Sequence, residues 1–351
     1  MLQRLSRGTT LVAVFVVCVV VGLVAFTALG VGGRRSEGAR ITKVPHVEQV
    51  VYVPHTSPGG MVGRSESIGQ REGGVTGNPD GAPLPENIPF TRAAFDAPIH
   101  RYRDYAASQV KKLRPEVATL AAAIRRGDRP AARAAWRAAF ARYLRLGAVY
   151  GAFGQLDTDI EGLPGGLPKG EHDPHFIGLH RIEMGLWTGE SVRSLTPVAA
   201  RLQRDVQRLS RAVRVSSMQP LDYATRAHEI LEDAQRDYLS GTSVTWSGEG
   251  VLATASGVSA TALILGTLRP LLQGQQSQVT TEAGITRLDH TLAALRAAHG
   301  GHLPTLSELS LRERQRLVGS LGWALERLQA IPGSLETQDP ATIPKLETKT
   351  P

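Results

Sequence analysis

The chain contains a single cysteine, Cys18, among its 351 residues. One cysteine cannot form an intramolecular disulfide, a Cys-rich zinc module or a Cys-x-x-Cys redox pair. Aromatic residues are also scarce, at 5% of the chain, which argues against an aromatic-rich all-β sandwich. Alanine, arginine and leucine recur throughout and favour helices over strands. The composition therefore predicts a helical protein without internal disulfides.

The sequence has no long run of basic residues, although its net charge is +8. The arginines are dispersed among alanines and leucines, so we interpret them as solvated helix faces and expect no nucleic-acid partner. A Walker-type phosphate loop and the Gly-x-Ser-x-Gly frame of a nucleophile elbow are lacking as well. The motifs thus give no support to a P-loop NTPase or a serine hydrolase of that type.

The N-terminus carries a strongly apolar run from Leu11 to Leu29, flanked by arginines on both sides. Its length is close to the ~20 residues that a helix needs to cross a bilayer, and it exceeds the ~7 to 15 apolar residues of a removable signal peptide. We interpret residues 1–33 as a signal anchor, with a cleaved signal peptide as the alternative. The prediction is a single-pass protein of the cell membrane with its main domain extracytoplasmic, or a secreted or periplasmic protein if the N-terminus is cleaved.

Composition divides the rest of the chain into three segments. Residues 34–89 repeat glycine, proline and serine without helical periodicity, which predicts a flexible linker. Residues 90–335 contain eight stretches with apolar residues three or four apart, joined mostly by short polar loops. This pattern predicts an all-α domain of antiparallel helical bundles, two four-helix bundles after the N-terminal membrane anchor. Residues 336–351 are rich in Pro, Thr, Glu and Lys and predict a disordered tail.

Prolines set the expected limits of the first helices. Pro115 lies inside an apolar periodicity that spans residues 95–124, and it predicts a kink or break near Arg114. Asp128 and Pro130 predict the N-cap and first turn of a second helix, which ends near residue 153. A glycine-rich loop over residues 162–170 then precedes a third helix, expected over residues 173–187.

The segment 176–187 contains His180 and Glu183, three residues apart. On a helix the two side chains lie on one face, so an imidazole nitrogen and a carboxylate can face the same cation. Apolar neighbours would carry both into the core, where an unpaired charge is costly and a metal ion is one compensation. The alternative is a core histidine beside a surface glutamate, because His-x-x-Glu often occurs by chance.

Acidic residues on both sides of this pair favour a metal site. Glu161 ends the upstream segment Leu-Asp-Thr-Asp-Ile-Glu, and Glu232 and Asp233 end the downstream segment His-Glu-Ile-Leu-Glu-Asp. Oxygen ligands completed by imidazole suit iron, zinc or manganese. The candidate metal ligands are therefore His180, Glu183, Glu161 and the pair Glu232 and Asp233, between which the sequence does not choose.

The order of these motifs resembles the imelysin-like family, in particular its EfeO/EfeM-type iron-uptake members. Family members carry a Trp-x-x-Ala-Arg-x-x-Tyr helix, a Leu-Asp-x-x-Ile-Asp turn, a loop and a Gly-Phe-His-Arg-Ile-Glu-x-x-Leu-Trp helix. Over roughly residues 90–335, the same order is found in Trp136, Tyr143, Phe153, Leu156, Asp157, Ile160, Glu161, His180, Arg181, Ile182, Glu183 and Trp187.

The resemblance implies a two-bundle helical fold in which the His-x-x-Glu pair and other carboxylates bind a ferrous or ferric iron ion, with zinc or another divalent metal as the alternative. It also implies an iron permease and/or a peroxidase of the envelope as protein partners, and the cytoplasmic membrane as a further partner. Two further functions stay open: a metal-dependent peptidase, and an envelope interaction module that binds no metal. The missing second histidine of the HExxH and HxxEH frames argues against the peptidase.

Three positions depart from the family pattern. Gly147 stands where many members have a glutamate, and Glu161 stands where an aspartate is usual. The segment Ser243–Gly248 replaces a Ser-His-Thr-Asp segment that is common in the family. The departures remove one ligand that the family offers and predict weaker or differently selective metal binding.

Overall fold

The computed structural model describes residues 90–147, 153–216 and 218–335 of the chain. The predicted anchor (1–33), linker (34–89) and tail (336–351) lie outside these residues. Helices make up most of the described part, with short turns and loops between them. The all-α prediction is confirmed.

The first two helices form a hairpin of α1, Asp96–Arg126, and α2, Arg129–Leu144. α1 ends at Gly127, whose φ of 76° lies in the left-handed region that glycine adopts easily. The Asp128 side chain then accepts a backbone N–H from the first turn of α2, and Pro130 lies in that turn. The predicted N-cap and early proline are thus confirmed. A connection this short makes the two helices antiparallel neighbours.

A predicted break and a predicted helix end in this region are wrong. α1 continues through Pro115 without a break, because Leu113 and Val117 on either side of it are buried in the core. That burial offsets the roughly 3 kcal/mol that an internal proline costs. α2 ends at Leu144 rather than near residue 153, and the acidic segment forms a separate short helix, α3, Gln155–Glu161.

The first bundle is completed by α4, Gly178–Trp187, and α5, Thr196–Val215. α1 packs on α2 and α5, and α4 closes the ring against α2 and α5, while α3 lies against α4 and α5. α4 begins five residues later than expected, because Asp173 is buried and holds the preceding turn by accepting the N–H of His175 at 2.8 Å.

A second ring of four helices follows, in which each helix packs against the next and the last against the first. Its members are α6, Pro220–Asp233, α7, Gly250–Leu272, α8, Gln276–Ala298, and α9, Leu311–Leu328. α9 begins with a capping box between Ser310 and Glu313. The short α10, Ala330–Ser334, packs on α6, α8 and α9.

α7 joins the two bundles, since it also packs against α1 and α2. Among the described residues it is the helix whose length and composition would suffice to cross a membrane, and 67% of its most apolar window is buried inside the protein. The burial explains the composition: a helix that is apolar on all sides is needed where neighbours surround it.

Candidate metal centre

The histidine and glutamate of α4 are bonded to each other in the core. Nδ1 of His180 lies 2.8 Å from Oε2 of Glu183, and the two residues are 2% and 0% exposed. The other carboxylate oxygen, Oε1, accepts the backbone N–H of Ser247 at 2.9 Å. Both oxygens of Glu183 and one ring nitrogen of His180 are therefore engaged within the protein. Nε2 is the ring atom left for a further partner.

α2 fixes the position of this pair. The indole N–H of Trp136 donates to the Leu179 carbonyl at 2.8 Å, and the Phe140 ring meets the His180 ring edge-on, with 5.5 Å between centroids. At the other end of α4, Arg133 donates to the Leu186 carbonyl at 2.8 Å. A cation is favourable there because the last carbonyls of a helix carry partial negative charge.

Gly178, the first residue of α4, is pressed against the end of α3. Its φ is +81°, and a Cβ at this position would lie 2.3 Å from the Ile160 carbonyl oxygen and 2.6 Å from that of Asp159. No other residue fits this conformation and this contact together. The glycine therefore allows the start of α4 to lie directly beside the acidic helix α3.

Two carboxylates of α3 lie near the buried Tyr143 of α2. The Tyr143 hydroxyl donates to Oδ1 of Asp157 at 3.1 Å. Oε2 of Glu161 is buried and has no hydrogen-bond partner among the described residues. Burial raises the pKa of the Glu161 carboxyl well above its usual range, and the charges of Asp157 and then Asp233 raise it further. A buried, unpartnered carboxylate oxygen that also experiences the charges of two other acids is a position where a cation would be stabilised.

Asp233 reaches this cluster from the second bundle. It ends α6 and is followed by a π-helical turn, Ala234–Tyr238. Burial raises the pKa of Asp233, while Arg236, which donates to its Oδ1 at 2.7 Å, acts to lower it. Burial also raises the pKa of the Tyr238 hydroxyl well above its usual range, with Glu161 the largest of the charges that add to this. We define the acidic cluster as Asp157, Glu161 and Asp233, with the two tyrosine hydroxyls beside it.

Glu232 does not belong to the acidic cluster. Its side chain is 46% exposed, and Oε2 lies 3.5 Å from Nδ1 of His228. The two neighbours that the sequence left open thus differ in their electrostatic effect, because the charge of Asp233 contributes to the raised pKa of Glu161. His228 thus lies beside this surface glutamate and is not a member of the acidic cluster. His172 and His175 are exposed in the loop before α4.

The sequence-predicted ligands form two groups rather than one. Glu161 and Asp233 lie in the acidic cluster, whereas His180 and Glu183 form a pair of their own. The Phe140 ring contacts both regions, with its centroid 5.5 Å from that of His180 and 6.2 Å from that of Tyr238. In the part of the chain that the structure describes, no three His, Cys, Asp or Glu side chains are close enough together to hold a metal ion.

The family model for imelysin matches residues 98–331 of the chain. The chain belongs to the imelysin family. It is 24% identical to the iron uptake system component EfeO of Escherichia coli K12 over 239 residues, which cover 68% of this chain and 63% of EfeO. It is 22% identical to the iron uptake system component EfeM of Pseudomonas syringae over 240 residues, 68% of this chain and 84% of EfeM. The match thus spans less than two thirds of EfeO.

Packing explains the glycine at position 147 of this imelysin domain. Gly147 has a φ of +42°, and a Cβ there would lie 2.7 Å from both Cδ1 of Ile230 and Cβ of Ala260. The position is closed by residues of α6 and α7, so the glutamate expected from the family resemblance has no room here. Gly147 therefore allows α6 and α7 of the second bundle to approach the end of α2 closely.

The unusual segment Ser243–Gly248 contributes through its backbone. Its Ser247 N–H binds Glu183, and the Ser247 hydroxyl accepts the N–H of Glu249 at 3.3 Å. Glu249 is 3% exposed and pairs with Arg137 of α2. Burial raises the pKa of Glu249, and the charge of Glu183 adds to the effect. In this segment the backbone amide of Ser247, rather than a side chain, contacts Glu183.

Sequence reasoning missed Asp157, Tyr143 and Tyr238 as parts of the acidic cluster. Asp157 and Tyr143 were within the motifs that carried the family resemblance, so their positions held the signal. Tyr238 lies outside the motifs that carry the family resemblance. Its position depends on the π-helical turn, whose extra residue per turn changes which side chains face the site.

Proposed function

We propose that this imelysin domain is the membrane-tethered, extracytoplasmic iron-binding component of an iron-uptake system. The observation that carries the proposal is the buried, unpartnered Oε2 of Glu161 beside Asp157 and Asp233. The names of EfeO and EfeM as iron uptake system components support the choice of iron. The apolar run at residues 11–29 supports the membrane tether.

The chemistry of the acidic cluster suits an iron ion as cargo. Carboxylate oxygens bind hard cations, and an imidazole nitrogen shifts the preference towards transition metals. Without a cation, the raised pKa of Glu161 means that this carboxyl retains a proton more readily than an exposed one. Binding of the metal replaces protons, so uptake and release of iron are coupled to proton release and uptake.

The His180 and Glu183 pair has a distinct role in this proposal. Glu183 holds Nδ1 of His180, which leaves Nε2 as the atom that faces a cation. A carboxylate that orients a histidine ligand in this way is common around protein metal sites. We therefore propose Glu161, with Asp157 and Asp233, as the source of oxygen ligands and His180, which Glu183 orients, as a nitrogen donor; these side chains must move closer together than they are in this structure to share one iron ion.

An iron titration of the purified full-length protein in detergent tests the proposal. Ferrous iron is added without oxygen and ferric iron as its citrate complex, with zinc as the competing divalent ion. We expect Glu161→Gln to weaken iron binding at least tenfold, since it removes the charge but keeps the shape. Glu232→Gln is the matched control and should bind as the wild type does. Equal affinity of the wild type and Glu161→Gln would remove the acidic cluster from the function.

Delivery to a membrane permease and/or a peroxidase is the part of the proposal that concerns partners. EfeO and EfeM are named as components of a system, which supports partner proteins in the envelope. Affinity capture of the full-length protein from membranes, with and without iron, tests this. A permease or peroxidase should be enriched with the wild type, and its absence from both samples would contradict this part alone.

A further inference from the structure

The outer surface where α1 meets α5 is strongly cationic. α5 contains five arginines and a single acidic residue, Asp205. We define the basic face as the exposed residues of this surface that have no carboxylate within 4.0 Å among the described residues: Lys111 and Arg114 of α1, and Arg204, Arg211 and Arg214 of α5. On most folded surfaces, lysines and arginines are interspersed with acidic residues. Five basic side chains without a carboxylate partner therefore produce a concentrated positive potential.

The five arginines of α5 divide into two groups. Arg201 and Arg208 both reach Asp159 of α3, at 3.4 and 3.6 Å, and both contact Asp205. The other three are spaced seven and three residues apart, which places them on one stripe of the helix. The three arginines of this stripe thus take no part in the ion pairs that Arg201 and Arg208 make.

A groove of about 450 Å³ runs between the two helices of the basic face. Lys111 and Arg114 line it from α1, and Gln203 and Gln207 line it from α5. Its remaining lining residues are apolar or proline, and no acidic residue is among them. The groove can therefore receive an anionic group with cations on one wall and amide donors on the other.

An exposed apolar residue lies at the end of the stripe. Val215 directly follows Arg214 and is 84% exposed, the highest value among the exposed large apolar residues of the described part. Basic residues beside an exposed apolar side chain form the combination that binds the interface of an anionic bilayer.

We propose that the basic face docks onto an anionic phospholipid bilayer. The charge of the face is complementary to such a surface, and Val215 offers an apolar contact below the headgroups. The proposal rests on the membrane tether of the proposed function: the sequence predicts an anchor and a linker of about 55 residues, which as a flexible chain would span about 40 Å. At that distance a weak contact is populated through its high effective concentration. Docking would orient the domain relative to the membrane, whether or not iron is bound.

A spin label at position 215 tests the proposal in the full-length protein. The background is Cys18→Ala, which removes the one native cysteine, with Val215→Cys for labelling. The protein is reconstituted in nanodiscs of purely zwitterionic lipid or of lipid with 30% anionic phosphatidylglycerol, a composition set by the experiment and roughly that of an anionic leaflet. Accessibility of the label to oxygen and to a water-soluble nickel complex reports its depth.

We expect the label to lose access to the nickel complex only in the anionic discs, and to regain it in ~1 M salt, where the Debye length falls to ~3 Å. Arg204→Glu/Arg211→Glu/Arg214→Glu should abolish the difference between the two discs. The control Arg296→Glu/Arg312→Glu/Arg316→Glu changes the net charge equally on α8 and α9 and should preserve it. Circular dichroism establishes that both variants are folded.

Equal accessibility of the label in the two discs overturns the proposal. Loss of the difference in the control variant as well would assign the effect to net charge and also overturn it. A third outcome would assign the basic face to a different partner. In that outcome the wild type is retained on an immobilised soluble polyanion, the α5 variant is not, and the label shows no difference between the two discs. Because iron is absent from these measurements, their outcome is independent of the iron titration.

Discussion

The carboxylate of Glu183 accepts the backbone N–H of Ser247, which lies 64 positions later in the chain. This bond ties α4 of the first bundle to the segment before α7, the helix that joins the two bundles. The same carboxylate holds His180 through its other oxygen. One buried side chain therefore connects the His-x-x-Glu motif to the interface between the bundles.

Glu183→Ala should lower the free energy of unfolding by about 3 kcal/mol, because it leaves two buried donors without an acceptor and removes buried atoms. Glu183→Gln should lose less, since its amide keeps one acceptor oxygen. Urea denaturation followed by circular dichroism measures both. The exposed Glu232→Ala is the control and should change stability by ~0.5 kcal/mol or less. A Glu183→Ala variant as stable as the control would refute the role of this bond.

Gly178→Ala should destabilise the protein by more than about 2 kcal/mol, because a methyl group meets two carbonyl oxygens in addition to the left-handed backbone strain. Gly189→Ala is a matched control with a φ of +90° and nothing within 4 Å of its Cβ. It should cost only the strain, about 1 kcal/mol. Thermal and urea unfolding give the difference. Equal losses would mean that the contact with α3 is not tight.

Gly147→Glu should not improve iron binding, although it introduces the glutamate expected from the family resemblance. The side chain would collide with Ile230 and Ala260, and we expect a loss of about 3 kcal/mol in stability. In Gly147→Ala/Ile230→Ala the space is reopened, so the double variant should lose less stability than the sum of the single variants. Additive losses, or tighter iron binding by Gly147→Glu, would contradict the packing explanation.

Asp233→Asn should weaken iron binding at least tenfold, whereas Glu232→Gln should leave it unchanged. The charge of Asp233 acts on Glu161, and its side chain is 29% exposed, whereas that of Glu232 is 46% exposed and lies beside His228. The two variants differ by one position in the chain and remove the same charge. Calorimetric titration with ferrous iron compares them, and equal effects would show that the long-range charge matters rather than the ligand geometry.

The Glu313 carboxylate should stabilise the fold at pH values above about 2, where it is ionised in the folded protein. The hydroxyl and N–H of Ser310 and the ring of His299 lower the pKa of Glu313 from 4.5 to about 2. A lowered carboxyl pKa stabilises the fold fully above the unfolded value and loses this effect as the pH falls towards the folded value. The stability gap between wild type and Glu313→Gln should therefore shrink as the pH falls from about 4.5 towards 2. Glu326→Gln, at an exposed site of α9, should show no such shrinkage.

Much of the helical architecture could be predicted from local patterns. The apolar periodicity gave the positions of the long helices, and the Asp128 cap and the glycine at the end of α1 have short-range causes that a sequence displays. The errors arose where tertiary contacts outweighed local preferences. Pro115 stays inside α1 because the core packs on both sides of it, and α4 starts late because a buried aspartate holds the preceding turn.

For the site, the sequence alone determined that His180 and Glu183 share a helical face and that acidic residues flank them, since these relations depend only on spacing along the chain. Only the tertiary structure decided that Glu183 binds His180 and Ser247, that Asp233 rather than Glu232 lies near Glu161, and that Tyr143 and Tyr238 accompany the acids. The physical reason is that burial, hydrogen-bond partners and like-charge contacts are made between helices from distant parts of the chain, and no local pattern encodes which of them meet.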